Sequence, residues 1–357
     1  MAMKKLSDPA HKATDDLLEE LEGKISKEYE KASREVSEKL QKHLDSFRAR
    51  DAAKKAELSE SEYKKWRVGQ IMMGKRWEEM RDTLAQDFHN ANRIARSVVN
   101  GYMPEVYALN HNYGTFLVEK GSKLDTSYTL YDRQTVERLL KDNPDLLKPP
   151  GKQMQKTFGE FDAYKSGKHV KISPKKEKAF KKLIQENKDV RWQQGKIQSV
   201  TLQAILQGES IPNMTRRIAK EMGEINRSAT IRYARTATTA AENAGRIDSF
   251  HRAEDMGIDV RQQWVATLDN RTRQSHVDMD GEIVKAGEKF SNGCEYPGDP
   301  NGDPEEIWNC RCTLIAVVGE IKRDISNVNL RNDNHLEQES YEEWKEKRGG
   351  GKRERKH

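Results

Sequence analysis

Residues 264–318 hold all three cysteines of the chain, Cys294, Cys310 and Cys312, together with His276. Thiolate and imidazole are the ligand types of tetrahedral zinc, and four such groups would close a structural site around the ion. The stretch is otherwise polar and proline-rich with few large apolar side chains, a composition that a metal can hold together. Against zinc, the Cys310-x-Cys312 spacing is tighter than the usual two to four intervening residues. Reduced, inert cysteines that simply pack are therefore the first reading and structural zinc the named alternative. A bridge from Cys294 to Cys310 or Cys312 is a third option, disfavoured in a reducing compartment.

Around these residues lies Asp269-Asn-Arg271-Thr-Arg273-Gln-Ser-His276. Asp269 is suited to cap a short helix, because its carboxylate can accept from the free N–H groups two and three residues on. Arg271 and Arg273 are then expected to reach Asp278, Asp280 or Glu305, and Gly281 to make a tight turn into a strand. An enzyme would need a nucleophile or metal-bound water beside a general base. The sequence offers one such alternative, a zinc-dependent nuclease or hydrolase using His276 and the cysteines with Asp269 or Asp280 as base. Four protein ligands leave a zinc no open position, so the expectation is a non-enzyme.

The elements that must position these groups are mostly helices. Leu18, Leu21, Ile25, Tyr29, Ala32, Val36, Leu40, Leu44 and Phe47 recur at steps of 3 and 4, an amphipathic helix that either lies along its own protein or self-associates. A second helical face runs from Trp77 to Val98, with Asn100-Gly101 as a stop. Helices over 192–206, from the Ser210 cap, and again from Asn226 to about Met256 follow. On the last, Ile231, Ala234, Thr238, Ala241 and Gly245 form a line that admits another helix closely, while Arg232, Arg235 and Arg246 project elsewhere. Period-two segments then begin at Val260, Gly281 and Cys312. The fold class is α+β: a mainly helical N-terminal two-thirds, a small C-terminal α+β module with a short antiparallel sheet, then a disordered basic tail. The segments are a long helix over 1–60, a helical region with Pro/Gly-rich connectors over 61–190, the Cys/His-bearing module with its preceding helices over 191–318, and a polar tail over 319–357.

Charge divides along the same lines. Residues 164–262 carry 20 Lys and Arg against 11 acids, net +9, whereas residues 263–318 carry 5 against 10, net −5. Any polyanion contact should come from the basic helices, with Lys175, Lys176, Lys178, Lys181, Lys182, Arg216 and Arg217 as candidates for non-specific double-stranded DNA. A solvated face is the plainer account of the same charge run. With charged residues at 34% and mean hydropathy at −0.98 there is little to bury per residue. No window approaches eighteen consecutive apolar residues, so the sequence offers no membrane span and no secretory leader.

Taken together, Ala234-Arg235-Thr236 on an alanine-rich helix, WVATLDNRTRQSHVDMDG, Phe290, the PEE of 304–306 and Asn309-Cys310-Arg311-Cys312 resemble the Mu F-like phage head morphogenesis family, the minor head proteins. The likeness is good over about residues 190–318 and weak before them. It implies a minor capsid protein of a tailed phage or prophage, found inside the virion head and in the host cytoplasm during assembly. Its implied partners are the portal protein, other head proteins and packaged DNA, in assembly, packaging or ejection. Some relatives carry a toxin or transferase domain after the module, and the polar residues that follow here are expected to leave no room for one. On this resemblance Arg235, Thr236, Asp269, Arg271, Arg273, Gly281, Asn309 and Arg311 are motif positions with a structural role.

Overall fold

A computed structural model of the chain describes residues 8–73, 75–144, 146–147, 188–321, 331–332 and 334–349. Three long helices dominate it: α1 (Pro9–Glu57), α3 (Lys75–Ser122) and α6 (Ile211–Asp255). Between them come α2 (Glu60–Ile71), α4 (Arg133–Asp142) and α5 (Lys188–Leu206). The chain forms two compact units, one from residues 1–21, 99–152 and 232–357, the other from 22–98 and 153–231. The division falls within α1, α3 and α6, whereas the sequence suggested segments ending at 60, 190 and 318.

In the unit whose described elements are all helices, the period-3/4 stripe of α1 does what its spacing predicts. Ile25, Tyr29, Ala32, Val36, Leu40 and Leu44 are buried. Polar groups inside this unit are paired with each other. Tyr29 Oη donates to Asn92 Oδ1 at 2.5 Å, and the amides of Gln193 and Asn226 bond reciprocally at 2.6 and 3.0 Å. The face that could have served self-association is thus covered by the chain itself.

Two expected helix boundaries are not boundaries. α3 runs through Asn100-Gly101 and Pro104. A helix-interior proline costs about 3 kcal/mol, but Val99, Met103, Val106 and Tyr107 keep the buried series unbroken across it, and that burial outweighs the local cost. α6 likewise continues through Asn226. That side chain is spent on Gln193 and on the Met222 carbonyl, so it does not compete with the helix as a cap would. Ser210 does cap, with Asn213 N donating to its Oγ at 3.4 Å.

The second unit carries a short strand pair, β1 (Leu124–Asp125) with residues 331–332, and a three-stranded sheet. β2 (Ile258–Val265) is central, with β3 (Ile283–Lys285) and β4 (Thr313–Ile321) antiparallel on either side. Gln262 faces Val284 on one side and Ala316 on the other. β2 buries alternate residues, Ile258, Val260, Gln262 and Trp264, onto a core with Phe250, Phe290 and Leu314. The helix beneath is held close by small residues. A Cβ on Gly245 would stand 2.5 Å from the Tyr107 carbonyl oxygen of α3, and one on Gly298 would stand 2.9 Å from Ala240 N. The line of small residues on α6 therefore admits both a helix backbone and a loop.

Part of the polar tail folds. Residues 341–349 form a helix, and Trp344 is fully buried with Tyr341 against Phe116 and Tyr128. Trp344 Nε1 donates to the buried carboxylate of Glu119 at 2.6 Å, and Arg348 reaches the same carboxylate and Asp125. Two aromatic rings one helical turn apart bury enough apolar area to order a segment whose composition reads as disordered. The basic end, 350–357, lies outside the described residues. Among those described, no helix is long and apolar enough to cross a membrane.

Candidate functional site

α6 lays a polar stripe under the entry to β4. Thr236 Oγ1 accepts from Asn309 N at 3.1 Å, Thr239 Oγ1 donates to the Cys310 carbonyl at 2.6 Å, and Asn243 Nδ2 donates to the Cys312 carbonyl at 3.2 Å. Positions 236, 239 and 243 fall on one helix face, so three side chains of one rigid element fix the turn that carries two cysteines. Asn309 begins that turn in the left-handed region at φ 57°, a conformation Asn tolerates better than most side chains. The signal for Thr239 and Asn243 was present in TATTAAEN as polar residues at steps of 3 and 4 among alanines.

Opposite the turn sits His276, on the short helix α7 (Gln274–Asp278). Its ring is buried edge-on against Trp264, with centroids 5.2 Å apart. Nδ1 lies 3.6 Å from Cys310 Sγ and 3.4 Å from Cys312 Sγ. The other nitrogen, Nε2, is 2.9 Å from the Glu306 carboxylate, which also accepts from Ser275 and Asn292. Glu306 lies on α8 (Pro304–Ile307). It is the last member of a trio the sequence showed only as part of a family motif, and nothing local links it to His276.

The two sulfurs do not share one acidity. The hydrogen bond with Cys310, helped by His276, draws Cys312 down to about 5 despite its burial. Cys310, as the partner that keeps the proton, is pushed up by that same contact and by burial. Cys294 stands apart. Burial, then the nearby Asp299 charge, raises its thiol to about 12, and its sulfur is not in the His276–Cys310–Cys312 group, whose ligand atoms all lie within 4.8 Å of one another. Of the four candidate ligands the sequence offered, the structure brings three together, and all three cysteines are free thiols.

A recess of about 210 Å³ opens onto His276, Cys310 and Cys312, with Arg271, Arg273 and Arg311 on its walls. Asp269 does not cap α7, whose N-cap is Arg273. Its carboxylate does accept from the N–H two residues on, Arg271 N at 2.9 Å, but in a turn; it also accepts two hydrogen bonds from Arg311, at 2.5 and 2.7 Å, and that guanidinium holds its carboxyl below the usual carboxylate range. Arg273 donates to the backbone carbonyls of Glu306 and Trp308, not to Asp278, Asp280 or Glu305. Arg271 is the most exposed of the three, 3.7 Å from Asp269. Asp280 accepts from Ala266 N at 2.8 Å, and Gly281 makes the expected turn at φ 87°. Neither aspartate offered as a general base belongs to the Cys/His group. Arg235 is half-buried on α6 beside Thr236.

Of the DNA candidates, Lys175, Lys176, Lys178, Lys181 and Lys182 lie outside the described residues. Arg217 is tied to Glu209 and Glu221 at 2.7 Å each, and Arg216 is exposed with Asn213 as a neighbour.

The stretch built from α5, α6 and the three-stranded sheet is matched, over residues 195–315, by the family model of Phage Mu protein F like protein. The similarity to this family is that of residues 195–315, about a third of the chain. Minor head protein GP7 of Bacillus phage SPP1 is 32% identical over 123 residues, 33% of this chain and 39% of that protein. The NAD(+)--arginine ADP-ribosyltransferase EFV of Enterococcus faecalis is 31% identical over 146 residues, 39% of this chain and 29% of the transferase. An uncharacterized Bacillus subtilis protein, YqbB, is 29% identical over 129 residues. The chain thus spans less than half the length of each of these relatives. No solved structure matches it.

Proposed function

We propose that the chain is a minor head protein of a tailed phage or prophage. It acts in head morphogenesis as a non-enzymatic component inside the virion and, before that, in the host cytoplasm during assembly. The observation that supports this most is the match of 195–315, which spans the three-stranded sheet, the polar stripe of α6 and the Cys/His turn, with a minor head protein among the relatives. Several side chains in this module are committed to backbone carbonyls, the construction of a rigid docking unit.

Its partners in this reading are the portal protein and other head proteins, through the acidic sheet module, with a role in genome packaging or ejection. Packaged double-stranded DNA would be met by the basic stretch that precedes the module. With Arg217 engaged by two glutamates, the weight of that contact falls on Arg216 and the lysines of 175–182. Co-expression with the portal protein of the same phage tests the first part: the full chain should co-purify with it, and a chain that stays apart from every head protein contradicts the proposal. For DNA, binding to duplex should fall steeply with salt; binding that is absent at low salt, or indifferent to salt, removes that half.

A further inference from the structure

We propose that His276 Nδ1 and the thiolates of Cys310 and Cys312 form a three-ligand zinc site whose fourth position faces the arginine-walled recess. It stands independently of the head-protein reading.

The distances carry it first. Zinc bonds of about 2.3 Å to sulfur and about 2.05 Å to nitrogen, at the tetrahedral angle, place the two ligand atoms about 3.6 Å apart. The observed Nδ1-to-sulfur separations are 3.6 and 3.4 Å. Both nitrogen-to-sulfur separations are thus those a single zinc ion would impose, and all three ligand atoms lie within 4.8 Å of one another. All three residues are buried, at 1% exposure for His276 and 2% for each cysteine.

The surroundings carry it second. A metal-bound imidazole is normally oriented by a carboxylate on its other nitrogen, and Glu306 sits at 2.9 Å from Nε2 with Ser275 and Asn292 steadying it. With Nε2 engaged in this way, Nδ1 is the ring nitrogen left to bind an ion, and it faces the sulfurs. The backbone N–H of Cys312 points at Cys310 Sγ at 3.5 Å, and the carbonyls of both cysteines are pinned by Thr239 and Asn243. The ligands are thus held by groups that are not ligands, as a pre-formed site requires.

The fourth position follows from what is missing from the set. Among the described residues no further His, Cys, Asp or Glu joins the group, and the recess touches all three ligands. Glu306 is on the far nitrogen and Asp269 is engaged by Arg311, so neither completes the shell. Solvent or a small oxygen or nitrogen donor takes that place. Zinc here would tie α7 to the Asn309–Cys312 turn, two segments 34 and 36 residues apart in sequence at the paired atoms.

The test uses the full chain purified under reducing conditions, with metal content measured and cobalt(II) exchanged in as a spectroscopic probe. One zinc per chain is expected, and cobalt should give thiolate-to-metal charge transfer with four-coordinate d–d bands that shift on adding imidazole. Cys294→Ser should leave stoichiometry and spectrum unchanged, Cys310→Ser/Cys312→Ser should abolish both, and Glu306→Gln, which keeps every ligand, should weaken zinc binding by about 10–100-fold. Circular dichroism of each variant separates lost metal from lost fold. A wild-type chain that holds no zinc and gives no cobalt spectrum overturns the proposal. Loss of metal in the folded Cys294→Ser variant overturns the three-ligand set, and a cobalt spectrum indifferent to imidazole overturns the open position.

Discussion

Two buried polar centres flank α6 in the sheet-bearing unit, and they are built on opposite principles. At Arg246 the chain supplies everything. The guanidinium, fully buried, donates to both oxygens of Asp8, to Asn110 Oδ1 and to the Leu314 carbonyl at 2.7–3.1 Å, with Glu242 at 3.3 Å. At His276, Cys310 and Cys312 the soft groups have little but each other to face. The first centre is complete as a set of protein hydrogen bonds; the second becomes complete when a cation joins it. Adjacent stretches of one helix thus position a closed ion-pair network and an open ligand set.

Breaking the closed centre should have the largest effect. Arg246→Met takes this cation from the half-buried Asp8 and the buried Glu242, and removal of one side of a buried pair costs about 3–5 kcal/mol. Urea denaturation should show that loss whether or not metal is present. Next comes the helix contact that positions both centres. Gly245→Ala drives a Cβ onto the Tyr107 carbonyl and should cost about 1–3 kcal/mol, whereas Gly195→Ala, with nothing within 4 Å, should be neutral or slightly stabilising in the same measurement.

A smaller change should separate the two. Thr239→Val removes the donor to the Cys310 carbonyl and leaves Arg246 untouched, so about 1 kcal/mol of stability should go, with a larger proportional fall in metal affinity, read by competition with a chromophoric chelator. The smallest is a pH effect on the closed side. His11 is pushed up to about 9, mainly by Glu242 at 2.8 Å, with Asp15 adding and Arg246 opposing. A raised folded-state value means this contribution is fully present below the ordinary histidine value near 6.5 and is lost as pH rises through about 9. The stability gap between wild type and His11→Gln should therefore be open at pH 6 and nearly closed at pH 10.

Much of this was legible in the residues. The α1 stripe and the strand alternation at Val260–Trp264 could be read because burial imposes their periods, and both are buried as spaced. His276, Cys310 and Cys312 stood out by type. The separation of Cys294 from them, and the place of Glu306 behind the ring, depend on how α7, α8 and the Asn309–Cys312 turn meet, which no local pattern encodes. Arg246 could be placed only as projecting away from the small-residue line, because its partners Asp8 and Asn110 are more than a hundred residues away. Asn226 looked like a cap for the same reason, its amide being satisfied by Gln193 from another helix. The helix at 341–349 was hidden because two aromatic anchors in a charged stretch do not shift its composition.

The contrast between the centres is tested most directly by thermal unfolding of the full chain with and without a strong zinc chelator, beside the Cys310→Ser/Cys312→Ser variant. Chelation should lower the melting temperature of the wild type to that of the variant and leave the variant unmoved. A wild-type melting temperature unchanged by chelation that demonstrably leaves the protein metal-free would contradict the account, because the Cys/His group would then be as complete without a cation as Arg246 is.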